Sequence, residues 1–98
     1  MLQTSQYKKG DIVAFKLTNG EEIIAKIVEN NDTNYLISKP VTIAPSQQGL
    51  QFMQGFFTAN QDKDVTLNKS AVVMTASPVD EVEKSYTEAT TGIALVKG

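Results

Sequence analysis

Apolar and polar residues alternate along Ile12-Val-Ala-Phe-Lys-Leu17 and again along Glu22-Ile-Ile-Ala-Lys-Ile-Val28, with Asn19-Gly20 between the two runs. A period of two sends successive side chains to opposite faces of a strand. Val13, Phe15 and Leu17 therefore share one face of a first strand, with Ile12, Ala14 and Lys16 opposite. Ile23, Ala25 and Ile27 share one face of a second, against Glu22, Ile24, Lys26 and Val28. Asn-Gly between two such runs is the strongest short-range hairpin signal, because both residues tolerate positive φ. Both faces of the first strand are rather apolar, which suits a barrel whose outer face meets a helix or another subunit.

Asn30-Asn-Asp32 reads as a turn, and Tyr35, Leu36 and Ile37 open a third strand. Pro40 interrupts that strand or puts it at an edge, since proline has no N–H to give a ladder. Val41 and Ile43 continue the alternation until Ala44-Pro-Ser-Gln-Gln-Gly49 turns the chain. Leu50, Phe52, Phe56 and Phe57 mark a fourth extended segment, broken at Gly55 by a bulge or bend. A polar loop at 60–64, then Val65 and Leu67, the tight link Asn68-Lys69-Ser70 and a last strand Ala71–Met74 complete the β region.

At Ser77 the period changes. Ser77 caps a helix, Pro78 takes its first position and Asp80 approaches the free N–H groups of the first turn. Val79, Val82, Tyr86 and Ala89 form its apolar stripe. Gly92 suits the left-handed residue that ends a helix, with Ile93 placed for the contact that follows. The expected architecture is all-β: a strongly bent five-stranded open barrel over 7–77, a helix over 78–91 and an apolar tail over 92–98, in one domain spanning 1–98.

Ninety-eight residues suffice for a single core that buries about two-thirds of the unfolded chain's surface. The chain contains neither cysteine nor histidine, which excludes disulfides, a zinc site and imidazole bases. Glu21-Glu22 and the Asp62/Asp64 pair lie in or beside polar turns, where carboxylates stay solvated, and no serine has a histidine to activate it. Asp62-Lys63-Asp64 lacks the ligand count of a calcium loop. The expectation is a non-enzymatic protein without cofactor or metal: no catalytic residues and no metal ligands. Net charge is −2, and every cation is a lysine. Without arginine's planar fork, tight nucleic-acid binding gains little from whole-chain electrostatics. Met1-Leu-Gln3 opens no signal peptide, and no run reaches membrane-spanning length.

A bent five-stranded sheet of this length, with Asn19-Gly20 between strands one and two, resembles the Sm-like (LSm, Hfq-type; SH3-type barrel) family. The small residue of strand two matches Ala25, the acidic residue of the following loop matches Asp32, and a Met-Asn-Leu stretch falls near Asn34-Tyr35-Leu36. Pro40, Phe56-Phe57 and the tail carrying Pro78, Val82, Tyr86 and Thr91-Gly92 are similar to the LSm-like proteins of marine T4-like phages. A helix after the barrel, instead of before it, departs from the Sm and Hfq arrangement.

The resemblance implies a homo-oligomeric ring, on the order of five to seven subunits, and single-stranded RNA as a partner. A cytoplasmic location is the default expectation from the composition, that of the host cell if the chain is phage-encoded. In family rings a base stacks on a side chain from the loop after strand two, beside an asparagine, while an Arg-Gly pair near the last strand grips the nucleotide. Tyr35 and Asn34 fall at the first place, and Asn68-Lys69 stands where the Arg-Gly pair would, leaving Lys69 as the phosphate contact. Ring closure through the fourth and last strands would engage Phe52, Phe56, Phe57, Val72 and Met74. The functional reading is an RNA-binding or RNA-chaperone module. The alternative is a structural or protein-binding ring that keeps the fold without nucleotide recognition.

Overall fold

The computed structural model describes residues 7–47, 49–54 and 63–91. Six strands, β1 (Ile12–Leu17), β2 (Glu22–Asn30), β3 (Asn34–Ser46), β4 (Gly49–Gln54), β5 (Val65–Asn68) and β6 (Val72–Ala76), precede one helix, α1 (Asp80–Thr91). They form an open antiparallel sheet in the order β4-β3-β2-β1-β6, with β5 also paired to β3. The described part of the expected fourth segment is β4, paired with the C-terminal part of β3, while Val65 and Leu67 form a strand of their own, β5, paired with its N-terminal part, which makes six strands where five were expected. Gly55, Phe56, Phe57, Gly92 and Ile93, and the expected tail over 92–98, lie outside the described residues.

Alternation builds the core as the sequence indicates. Val13, Phe15, Ile23, Ala25, Ile27, Tyr35 and Ile37 form one buried cluster, and Leu17, Val65, Leu67 and Val72 pack against it. β5 and β6 lie on different sides of the β3-β2-β1 centre, yet both reach this cluster. Only a sheet curled on itself allows that. The result is a small barrel-like all-β fold with a C-terminal helix. The β1–β2 hairpin turns at Thr18-Asn19-Gly20, where Gly20 alone takes a positive φ of 91°. Asn19 instead accepts the Glu21 N–H on its side-chain oxygen at 2.9 Å.

Pro40 neither ends β3 nor confines it to an edge. Ile24 pairs with Val41 and Lys26 with Ser38, so Lys39 and Pro40 together oppose Ala25 in a bulge. Lys39 carries the left-handed φ of 50° that such a bulge needs, and buried Pro40 occupies a place that requires no donor. The extra residue inverts the alternation. Val41 and Ile43 pair with Ile24 and Glu22, on the face opposite Ile23, so they leave the core face that unbroken alternation assigned them.

The helix lies against this outer face. Its start falls two residues beyond the expected one, with the Val79 carbonyl accepting the N–H groups of Val82 and Glu83 at 3.0 Å each. β6 runs to Ala76, and Pro78 holds Ser77 in extended backbone, so the first turn forms only after the proline. The expected stripe is narrower: Val79 is 66% exposed and Ala89 is exposed, while Tyr86 is buried and Val82 and Thr90 half-buried. The Tyr86 hydroxyl donates to the carbonyls of Lys39 (2.8 Å) and Ser38 (3.0 Å), docking the helix onto the bulge. Among the described residues no helix is long and apolar enough to cross a membrane.

Burial pushes the Tyr86 hydroxyl up to about 12, with hydrogen bonds from the Lys26 backbone and the Thr90 side chain opposing the shift. A raised tyrosine contributes its full stability below the unfolded value near 10 and loses it as pH rises toward about 12. Wild type should therefore lose on the order of 2–3 kcal/mol across that range relative to Tyr86→Phe, in paired urea titrations. At neutral pH Tyr86→Phe should cost about 1–2 kcal/mol, because the bulge carbonyls lose their donor. At Lys39, a valine should cost roughly 1–2 kcal/mol more than a glycine in the same assay, since a β-branched residue resists positive φ.

Candidate nucleic-acid interface

β2 ends at Asn30, and a three-residue turn returns the chain as β3 at Asn34. Asn31 holds this turn twice, its backbone N–H donating to the Asn34 carbonyl (2.9 Å) and its amide group to Asn34 Oδ1 (3.0 Å). β5 runs alongside, with Asn34 opposite Asn68 and Tyr35 opposite Leu67. The turn and β5 are locked together where the Lys69 N–H donates to the Thr33 carbonyl at 2.9 Å. Asn34, Tyr35, Asn68 and Lys69, the four residues expected to bind RNA, thus come together at one corner of the sheet.

Lys69 is the centre of that corner. Its Nζ donates to Asn30 Oδ1 at 2.7 Å and sits 4.6 Å from the centroid of the Tyr35 ring. The ring packs at 59° to Phe15, with centroids 5.2 Å apart. Tyr35 is 9% exposed, and burial raises its hydroxyl pKa, with Tyr7 adding in the same direction. Stacking of a base on Tyr35 requires the lysine to move aside. Asn68 is exposed and opens a short 3-10 turn (Lys69–Ala71) without a side-chain hydrogen bond, so its amide faces solvent.

Sequence reasoning missed Asn30, which joins two parts of the site. Its oxygen takes the Lys69 ammonium, and its amide nitrogen donates to the Tyr7 carbonyl at 3.0 Å. The segment leading into β1 is anchored here at Tyr7. Asp11 Oδ2 accepts the Lys8 N–H at 3.0 Å, the Lys8 carbonyl accepts the Asp11 N–H at 2.9 Å, and Gly10 turns the chain at φ 95°. The run Asn30-Asn-Asp-Thr-Asn34 marks a polar turn in the sequence. Nothing in the spacing of Tyr7 from Asn30 signals their contact.

The residues expected at a subunit interface divide. Val72 packs on the core, Phe52 is half-buried on β4, and Met74 is 60% exposed on β6. Met53 on β4 and Val73 on β6 are also exposed, at 45% and 57%. β4 and β6 are the two ends of the main strand order. Phe56 and Phe57 lie outside the described residues. No group of three or more metal-ligating side chains occurs among the described residues. Compared with known proteins, the chain matches no family and no curated sequence.

Replacing Lys69 by methionine retains the stem over Tyr35 while removing the charge and its bond to Asn30. The cost should stay near 1 kcal/mol in urea unfolding, the usual size of a partly exposed cation–π or hydrogen-bond contribution.

Proposed function

We propose that the chain is a non-enzymatic, Sm-like subunit of a homo-oligomeric ring that binds single-stranded RNA as an RNA-chaperone-like module in the cytoplasm. The observation that carries this reading is the convergence of Asn34, Tyr35, Asn68 and Lys69, drawn from two separated stretches of sequence, at one corner of the sheet, with the Lys69 ammonium over the Tyr35 ring. An ammonium, solvent-facing amides and nearby aromatics are the groups that grip a phosphate and adjoining bases of a single strand. Repetition around a ring would gather one such lysine per subunit into a positive band, offsetting the acidic charge of each chain. The two sheet ends, carrying Met53 on β4 and Val73 and Met74 on β6, are the edges through which copies would pair.

A second reading has its own support. The Tyr35 ring is covered by Lys69, and no arginine is present, which favours a structural or protein-binding ring without nucleotide recognition. Native mass spectrometry, alone and with short uridine-rich and adenosine-rich RNA at low salt, separates the two. The expected result is a closed ring that gains the mass of one RNA, and loses that gain but not its ring on combined Asn68→Ala and Lys69→Met replacement. A closed ring that ignores RNA supports the second reading, and a monomer overturns both.

A further inference from the structure

Tyr35 is poorly placed to receive a base, with Lys69 over its ring and only 9% of its surface exposed. Another aromatic residue stands beside it. Tyr7 is half-buried against the core cluster and close enough to raise the Tyr35 hydroxyl pKa. It also borders an open cleft of about 390 Å³, lined further by Gly10, Asp11, Ile12, Ser77 and Glu83. Tyr7 is therefore shared between the Lys69 corner and this cleft. Through the Asn30 side chain, its carbonyl is one amide group away from the Lys69 ammonium.

Charge is distributed unevenly around Tyr7. Lys8 and Lys9 follow it directly and are exposed, and Lys69 stands across Asn30. The Asp11 carboxylate is engaged by the Lys8 N–H, and Glu29 accepts from Asn31 at 3.4 Å. Glu83, from the first turn of α1, adds a second acidic residue to the cleft lining beside Asp11. The cleft lining holds two carboxylates, Asp11 and Glu83, and no lysine, so a phosphate would be kept outside it, toward Lys8, Lys9 and Lys69. A carboxylate acceptor does, however, suit the exocyclic amino group of a base, as in carboxylate recognition of cytosine N4.

We propose that a nucleobase of single-stranded RNA stacks on Tyr7 in this cleft, with its amino edge toward Glu83 and its flanking phosphates on Lys8, Lys9 and Lys69. The proposal rests on the RNA-binding reading above and names the base class it selects. Adenine and cytosine offer an amino group to Glu83, whereas uracil presents carbonyl oxygens and a single ring N–H. Anchoring of residues 7–11 to β2, through the Gly10 N–H to the Ile27 carbonyl and the Ile27 N–H to the Asp11 carbonyl (2.8 Å each), holds the platform before RNA arrives. The ordering cost of binding is correspondingly small.

Fluorescence anisotropy with labelled oligo(A), oligo(C) and oligo(U), using the full chain, tests this. Adenosine and cytidine oligomers should bind several-fold tighter than uridine, and Glu83→Gln should narrow that gap. Tyr7→Leu should lose roughly tenfold or more, the size of one lost base–aromatic stack, while Tyr7→Phe stays near wild type. Combined Lys8→Gln and Lys9→Gln should reduce the salt slope by about 1.4 per engaged subunit. Photocrosslinking of a 5-iodocytidine oligomer to the unmodified protein should map to Tyr7, which decides the matter even if Tyr7→Leu folds poorly. A crosslink elsewhere, or a folded Tyr7→Leu that binds normally while Lys69→Met does not, overturns the cleft and leaves the RNA-binding reading intact. An unmodified protein without affinity for any oligomer overturns both.

Discussion

All thirteen residues of β3 must satisfy a sheet that wraps around them, and the bulge at Lys39-Pro40 makes this possible. β3 pairs with β2 along one edge and with β5 and then β4 along the other. A regular strand would keep one set of side chains facing inward for its whole length. Here the extra residue exchanges the faces halfway, so Tyr35 and Ile37 serve the inner core while Val41 and Ile43 face outward. At this bulge the carbonyls of Ser38 and Lys39 both accept from the hydroxyl of Tyr86. The helix is thus fastened where the sheet is irregular, by a hydrogen bond that burial makes costly to leave unmade.

The candidate site follows from the same curl. β5 reaches β3 only at the N-terminal half that precedes the bulge, which sets Asn68 against Asn34 and brings Lys69 over Tyr35. None of these contacts is individually strong, since most involve exposed polar groups for which water competes. Their effect is organisational. Asn30, Asn31 and Thr33 fix the positions of Lys69, Asn34 and the N-terminal segment through short bonds that share partners. The charge of the whole chain says little about such a place, because three lysines can be gathered locally in an acidic protein.

The alternation in β1 and β2, with Asn19-Gly20 between them, determined the hairpin and the identity of most core residues, because a period of two and a turn preference are local properties. The helix was legible in Pro78, Asp80 and the spacing of Val82 and Tyr86, although its first turn waits for the end of β6. Asn34, Asn68 and Lys69 of the candidate site could be named from the sequence through the resemblance, whereas Asn30, which ties Lys69 to the N-terminal segment, could not. Three things were decided only by tertiary structure: the inverted faces of Val41 and Ile43, the covering of Tyr35 by Lys69, and the joining of Tyr7 to that corner through Asn30. The physical reason is common to all three. Each depends on which groups distant in sequence meet across the curled sheet, and pairings a dozen or more positions apart leave no trace in local periodicity.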